Sequence, residues 1–166
     1  MTIASMRQLG LGLALLTVAL DQLSKWWIVN TVMNPPMVIP ITPFFNLVLG
    51  FNRGVSFGMF GSHSDLGRWL LTGLALAIAT ALIVWLWRVQ KPWLAAALGL
   101  IIGGAIGNVI DRINVGAVVD FLDFHAAGYH WPAFNVADMG ITGGAAVLII
   151  DSLFGHDPDK PEDNSG

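Results

Sequence analysis

The sequence predicts a membrane all-α bundle of four transmembrane helices. A small β-sheet is expected between helices one and two, and a short loop or helix between helices three and four. Three observations carry this. Of the 166 residues, 55% are hydrophobic and only 11% are charged, against about 25% charged in a soluble domain. Four apolar stretches approach the roughly 20 residues that a helix needs to cross the hydrocarbon core. Between the first two lies a long segment of branched and aromatic runs cut by Pro, Asn and Gly, the composition of short strands.

The first stretch begins near Leu9 and is uncharged through Leu20; Asp21, Gln22, Ser24 and Lys25 follow, and then Trp26, Trp27, Ile28 and Val29. Arg7 ahead of an apolar run also suits a cleaved signal peptide. However, no small-x-small cleavage site follows cleanly and apolar residues resume after Lys25, which favours a retained helix over residues 9–29. Residues 69–87 contain no charge and predict a second helix over 68–88. Residues 93–110 are interrupted only by Asn108 and predict a third over 93–111, with Arg88, Lys91 and Pro92 in a tight turn before it. Residues 134–154, with Asp138 near the start and Asp151 near the end, predict a fourth over 136–154. Backbone polar groups cannot stay unpaired in lipid, so each stretch should be helical. Gly99, Gly103 and Gly107, and Gly140 and Gly144, recur at spacing four; such spacing lets helix backbones approach, and packing is their expected role.

Residues 31–67 are too long for a mere connector, and strands are expected in 37–42, 44–51 and 55–60. In the second connection, Tyr129, His130 and Trp131 suit an interface. The length allows one membrane domain, residues 1–155, followed by a polar, proline-containing tail, 156–166, expected to be disordered. That tail supplies much of the net charge of −3 through Asp157, Asp159, Glu162 and Asp163. The absence of a basic patch argues against a nucleic-acid partner. Cysteine is absent, which excludes disulfides, thiolate metal sites and a cysteine nucleophile.

Threading four helices through a bilayer gathers the polar residues at one face. The ends that meet there carry Asp21 and Lys25, then Asn108, Asp111 and Arg112, then Asn135 and Asp138; the connections add Asn52, Arg53, Asp120 and Asp123. Ionisable groups at membrane depth are costly and mark a functional site by default. Each also has a plainer explanation. Asp21 and Lys25 are spaced i,i+4 for a helical ion pair. Asn108 and Asp111 suit a cap at the end of helix three or a bond to a neighbouring helix. Asn135 with Asp138 has the spacing of an N-cap and an acidic residue three positions on. Asp120 and Asp123 suit ordinary loop carboxylates. Their convergence on one face is what favours a site.

No metal-ligand spacing is present: His125 and His130 are five apart without an H-E-x-x-H pattern. Gly54-Val55-Ser56-Phe57-Gly58 matches G-x-S-x-G but lies among aromatic residues in an expected strand, not ahead of a helix, which argues against Ser56 as a nucleophile. Paired carboxylates remain. Two aspartates close together in low dielectric share a proton. The ionised one then deprotonates water and the neutral one donates to a scissile carbonyl, without metal or cofactor.

The motifs Asp21-Gln22-x-x-Lys25, Asn52-Arg53-Gly54-Val55-Ser56-Phe57-Gly58, Gly107-Asn108-x-x-Asp111-Arg112, Val119-Asp120-Phe121 and Phe134-Asn135-x-Ala137-Asp138 stand in this order across nearly the whole chain. In this the sequence resembles the bacterial lipoprotein signal peptidase (signal peptidase II) family, with no departure at the polar positions. The residues alone leave Asp111, Asp120 and Asp123 open as partners of Asp138; the resemblance implies a catalytic dyad of Asp120 and Asp138. It further implies that Asn52, Arg53, Asn108, Asp111, Arg112, Asn135, Asp21 and Lys25 hold the site or the substrate. The implied reaction removes the signal peptide from diacylglyceryl-modified prolipoproteins, before the lipidated cysteine. The implied setting is the inner membrane, with cytoplasmic termini, an extracytoplasmic sheet, the site near the outer leaflet, surrounding membrane lipid and inhibition by globomycin-type cyclic peptides. Charge does not decide the orientation: Arg7, Arg88, Lys91 and Lys160 lie on one side and Lys25, Arg53, Arg68 and Arg112 on the other. Two rivals remain: a proton-coupled transporter, which would spread its acids across the membrane, and a structural scaffold, which would tolerate their loss.

Overall fold

A computed structural model describes residues 2–54 and 65–154. Helix α1 (Ile3–Trp27) starts six residues earlier than the apolar run suggests, because the Thr2 side chain caps it by accepting from Ser5 N at 3.2 Å. It continues into a π-helical turn, Ile28–Val32. Strands β1 (Ile39–Thr42) and β2 (Phe45–Asn52) follow, then α2 (Leu66–Leu86) and α3 (Pro92–Asn114), which opens on a proline in its first turn. Strands β3 (Val118–Ala126) and β4 (Tyr129–His130) precede α4 (Val136–Phe154). The third strand expected at 55–60, Ser56 and the polar tail lie outside the described residues.

All four helices have the length and apolarity to cross a membrane. Helix α3 is the hub. Of its apolar window 67% is buried, against 17–22% in the other three, whose outward faces display leucines such as Leu15, Leu23, Leu70 and Leu153. Such a surface suits contact with lipid. The glycines of α3 permit close contact on both sides. A Cβ on Gly99 would collide with Gly10 O and one on Gly103 with Ala14 O, both on α1, while one on Gly104 would collide with Ala137 O on α4. Gly107 departs from the expected packing role: its Cβ would meet not backbone but the Asp21 carboxylate, 2.6 Å from Oδ2.

The sheet is larger than expected. The second connection, expected as a loop or short helix, supplies two of its strands, and all four pair antiparallel in the order β1-β2-β3-β4. Ala127 and Gly128, with φ of 50° and 81°, turn β3 tightly into β4. A bulge in β2 between Leu47 and Gly50 lies beside Asp120, which pairs with Gly50; bulges re-aim neighbouring side chains. Ile28, Met33 and Phe121, with Leu47, Leu49, Leu122 and Val136 against them, seat the sheet on the bundle. Phe121 N and Leu122 N both donate to Phe134 O, at 3.0 and 2.9 Å, so β3 is tied to the segment that leads into α4.

Candidate active site

The start of α4 is where two parts of the chain meet. Asn135 is its N-cap: Asn135 Oδ1 accepts from Asp138 N at 3.0 Å, and Asp138 Oδ2 accepts from Asn135 N at 3.2 Å. This is the reciprocal arrangement of a capping box, so the capping explanation for Asp138 holds. It does not use up either residue. Asn135 Nδ2 donates to Asp120 Oδ1 at 2.7 Å, and more weakly to Val119 O and Asn108 Oδ1. One asparagine therefore touches both Asp120 and Asp138. Asn108 Nδ2 completes the hold on Asp138 by donating to Oδ1 at 2.9 Å.

The environments of the two aspartates differ. Asp120 is 3% exposed, whereas Asp138 is half-buried at the head of its helix. Burial pushes the Asp120 carboxyl above the usual carboxylate range. The Asn52 amide opposes this, the Asp138 charge adds to it, and Asn135 and Lys25 oppose it.

Behind the pair lies a buried ionic cluster. Lys25 Nζ is 2.8 Å from Asp21 Oδ2 and 2.7 Å from Asp111 Oδ2, and donates to Asn108 Oδ1 at 3.2 Å. The expected i,i+4 pair is thus real, but it is half of a triad. Helix α3 runs three residues past Asp111, so Asn108 and Asp111 act from within the helix rather than capping its end.

The remaining expected site residues lie at the rim. Arg112 Nη1 reaches Asn108 O at 3.4 Å; its Nε is buried without a hydrogen-bond partner among the described residues, and the charges of Asp138, Asp111 and Asp120 act on it. Asn52 Oδ1 accepts from Gly54 N at 2.8 Å, closing a turn after β2. Arg53 is exposed and pairs with no carboxylate among the described residues.

Asp123 stands apart. It bonds to Asn46 Nδ2 at 2.9 Å and His130 Nδ1 at 2.8 Å. The His130 hydrogen bond holds its carboxyl below the usual range, with Asn46 assisting and burial opposing. His125 and His130, weighed above as possible ligands, stack on each other at 4.9 Å; among the described residues no cluster of three His, Asp or Glu side chains suits a metal. Of the acids within the spans, Asp21, Asp111 and Asp138 lie at the sheet end, while Asp151 lies at the other end, tied to Lys91 and Trp93 Nε1.

Gln22, quoted above within a motif but given no role, proves central. Its Nε2 lies 3.1 Å from Asp21 Oδ2, 2.9 Å from Asp111 Oδ1 and 3.2 Å from Gly107 O. The available signal was an amide beside Asp21 on an otherwise apolar helix.

The Signal peptidase (SPase) II family model matches residues 13–154. A lipoprotein signal peptidase of Ralstonia nicotianae is 52% identical over 145 residues, covering 86% of this chain and 83% of its own. One from Beijerinckia indica is 40% identical over 162 residues, covering 97% of each. A solved bacterial membrane enzyme structure superposes with a TM-score of 0.76 at 29% identity, over 92% of each chain.

Proposed function

The chain belongs to the signal peptidase II family, and from that premise we propose that Asp120 and Asp138 are the dyad with which it hydrolyses its substrate. The protein is a multi-pass membrane peptidase that removes signal peptides from prolipoproteins. The finer reading is that the substrate is diacylglyceryl-modified and is cut just before the lipidated cysteine. The observation that carries the dyad is Asn135, which hydrogen-bonds to both carboxylates from one residue.

Asp120, whose burial favours the protonated form, donates to the scissile carbonyl oxygen. Asp138 accepts N–H groups from Asn135 and Asn108 and sits where the helix dipole favours an anion, by about 0.3–1 kcal/mol. It takes the proton of the attacking water. The tetrahedral intermediate then collapses as the amine leaves with a proton from the pair. Asn108 and Asn135 orient the carboxylates, Asp21, Lys25 and Asp111 support them, and Asn52, Arg53 and Arg112 at the rim meet the substrate backbone. Arg112 has donors to give, since its Nε lacks a partner among the described residues.

A lipid-anchored substrate enters sideways with its acyl chains still among membrane lipid, so the site belongs near the outer leaflet of the inner membrane with the termini cytoplasmic. A cyclic peptide of the globomycin type would compete for the same cleft. The carrier reading gains nothing from the remaining spanning acid, Asp151, which is engaged by Lys91 and Trp93.

The test is cleavage of a diacylglyceryl-modified prolipoprotein in proteoliposomes. Asp120→Asn and Asp138→Asn are each expected to abolish product while the protein still folds. Undiminished cleavage by either removes that aspartate from the mechanism, and cleavage of an unlipidated precursor at the same rate removes the lipid from the recognition.

A further inference from the structure

We infer that Lys25, acting through Asp21, Asp111 and Gln22, is a positioning centre that fixes the two dyad aspartates relative to each other by holding the backbone next to each. This rests on the dyad reading above. The residue before Asp120 is Val119, whose N–H donates to Asp111 Oδ2 at 3.0 Å. The residue before Asp138 is Ala137, whose N–H donates to Asp21 Oδ1 at 2.9 Å. Strand β3 is therefore pinned to α3, and α4 to α1, each one residue away from a dyad carboxylate. Neither bond belongs to the regular hydrogen bonding of its strand or helix.

The two pins are joined. Lys25 Nζ bridges Asp21 and Asp111 at 2.8 and 2.7 Å, and Gln22 Nε2 bridges the same two carboxylates at 3.1 and 2.9 Å. The third ammonium proton goes to Asn108 Oδ1, and Asn108 Nδ2 holds Asp138 itself. All three donors of the lysine are thus spent on groups that lead to the dyad. Asp21, Lys25 and Asp111 are 0%, 4% and 4% exposed, so none is open to solvent or substrate. Gly107 is part of the device, since any side chain there would displace the Asp21 carboxylate. An ion pair serving only to join helices would not need its carboxylates aimed at the amides of residues 119 and 137.

The test separates positioning from stability. Wild type, Lys25→Met, Lys25→Met/Asp111→Asn and Gln22→Leu are reconstituted in liposomes with a diacylglyceryl-modified prolipoprotein. kcat, KM and melting temperature are read for each. Lys25→Met is expected to lose roughly 100-fold in kcat, the usual effect of misplacing a reacting group by about 1 Å, with KM within about twofold. Adding Asp111→Asn removes one of the two uncompensated buried charges, so melting recovers in part, but kcat stays low because the bridge is still missing. Gln22→Leu leaves every charge in place and, read well below its melting point, is expected to lose roughly tenfold in kcat, with melting lowered only by the donor that Asp111 Oδ1 loses; it decides the matter alone if neither Lys25 variant folds. A kcat that follows melting and returns with it, or a wild-type kcat in Gln22→Leu, overturns the inference. Asp138→Asn is run beside them. If it cleaves normally the dyad reading fails; if it is inactive while Lys25→Met keeps wild-type kcat, only the positioning role fails.

Discussion

Asn135 both caps α4 and holds Asp120; on the proposed dyad the second contact serves the chemistry, and two substitutions separate it from the first. Asn135→Ser keeps a good N-cap, since serine caps about as well as asparagine, but a hydroxyl cannot reach Asp120. Asn135→Ala loses both. The cap difference between them should be about 1 kcal/mol, or roughly 2–4 °C in melting for a chain of this size. The bond from Nδ2 to Asp120 Oδ1 is 2.7 Å long, and losing it leaves a buried carboxyl oxygen short of a partner, which costs about 1–3 kcal/mol. If that cost is expressed in the transition state, each 1.4 kcal/mol is tenfold, and cleavage should fall roughly 10- to 100-fold in both variants alike. Detergent-solubilised protein supplies the melting curves and proteoliposomes supply the rates. A serine variant that cleaves like wild type, beside an alanine variant that does not, would make Asn135 a cap and nothing more.

Asp120→Asn is expected to melt no lower than wild type at pH 7. Burial raises this carboxyl, so the unfolded chain ionises at about pH 3.9 while the folded one still holds its proton; stability then falls as pH rises between the two, and asparagine escapes that loss. A clearly lower melting point would contradict it. Asp123 has the opposite sign. His130 depresses its carboxyl, so its contribution is present above about pH 4 and lost below it; Asp123→Asn should melt lower than wild type at pH 7 and converge with it in acid. Gly107→Ala should cost about 1–3 kcal/mol of stability, because its Cβ would sit 2.6 Å from Asp21 Oδ2, and should also slow cleavage. Unchanged melting would mean that Asp21 has room to move.

The four spans were legible because bilayer thickness sets their length. Their ends were less so. Helix α1 reaches back to Ile3 through Thr2, a cap hidden in a short polar lead. Helix α3 runs on past Asp111 because that charge, which looked like a boundary, is paired inside the bundle with Lys25. Strand β3 was obscured for a related reason. Val118, Val119, Asp120 and Phe121 are all buried, so the alternation that marks a half-exposed strand is missing; Ala127-Gly128 was the readable sign of its hairpin. The gathering of polar residues at one end followed from threading alone. Which aspartates share Asn135 did not, since Asp111, Asp120 and Asp123 look alike until β3 and α4 are joined through Leu122 and Phe134. The contacts at Val119 N and Ala137 N leave no side-chain trace, and could only be found in three dimensions.

If Asp120 and Asp138 act as one catalytic unit, their losses cannot multiply. The most direct measurement is single-turnover cleavage of a lipid-modified prolipoprotein by Asp120→Asn, Asp138→Asn and the double variant. The expected result is a similar and near-complete loss in each single variant, with the double variant no slower than either. Losses that multiply, or a single variant that keeps most of the wild-type rate, would show that the two carboxyl groups do not work together on one water.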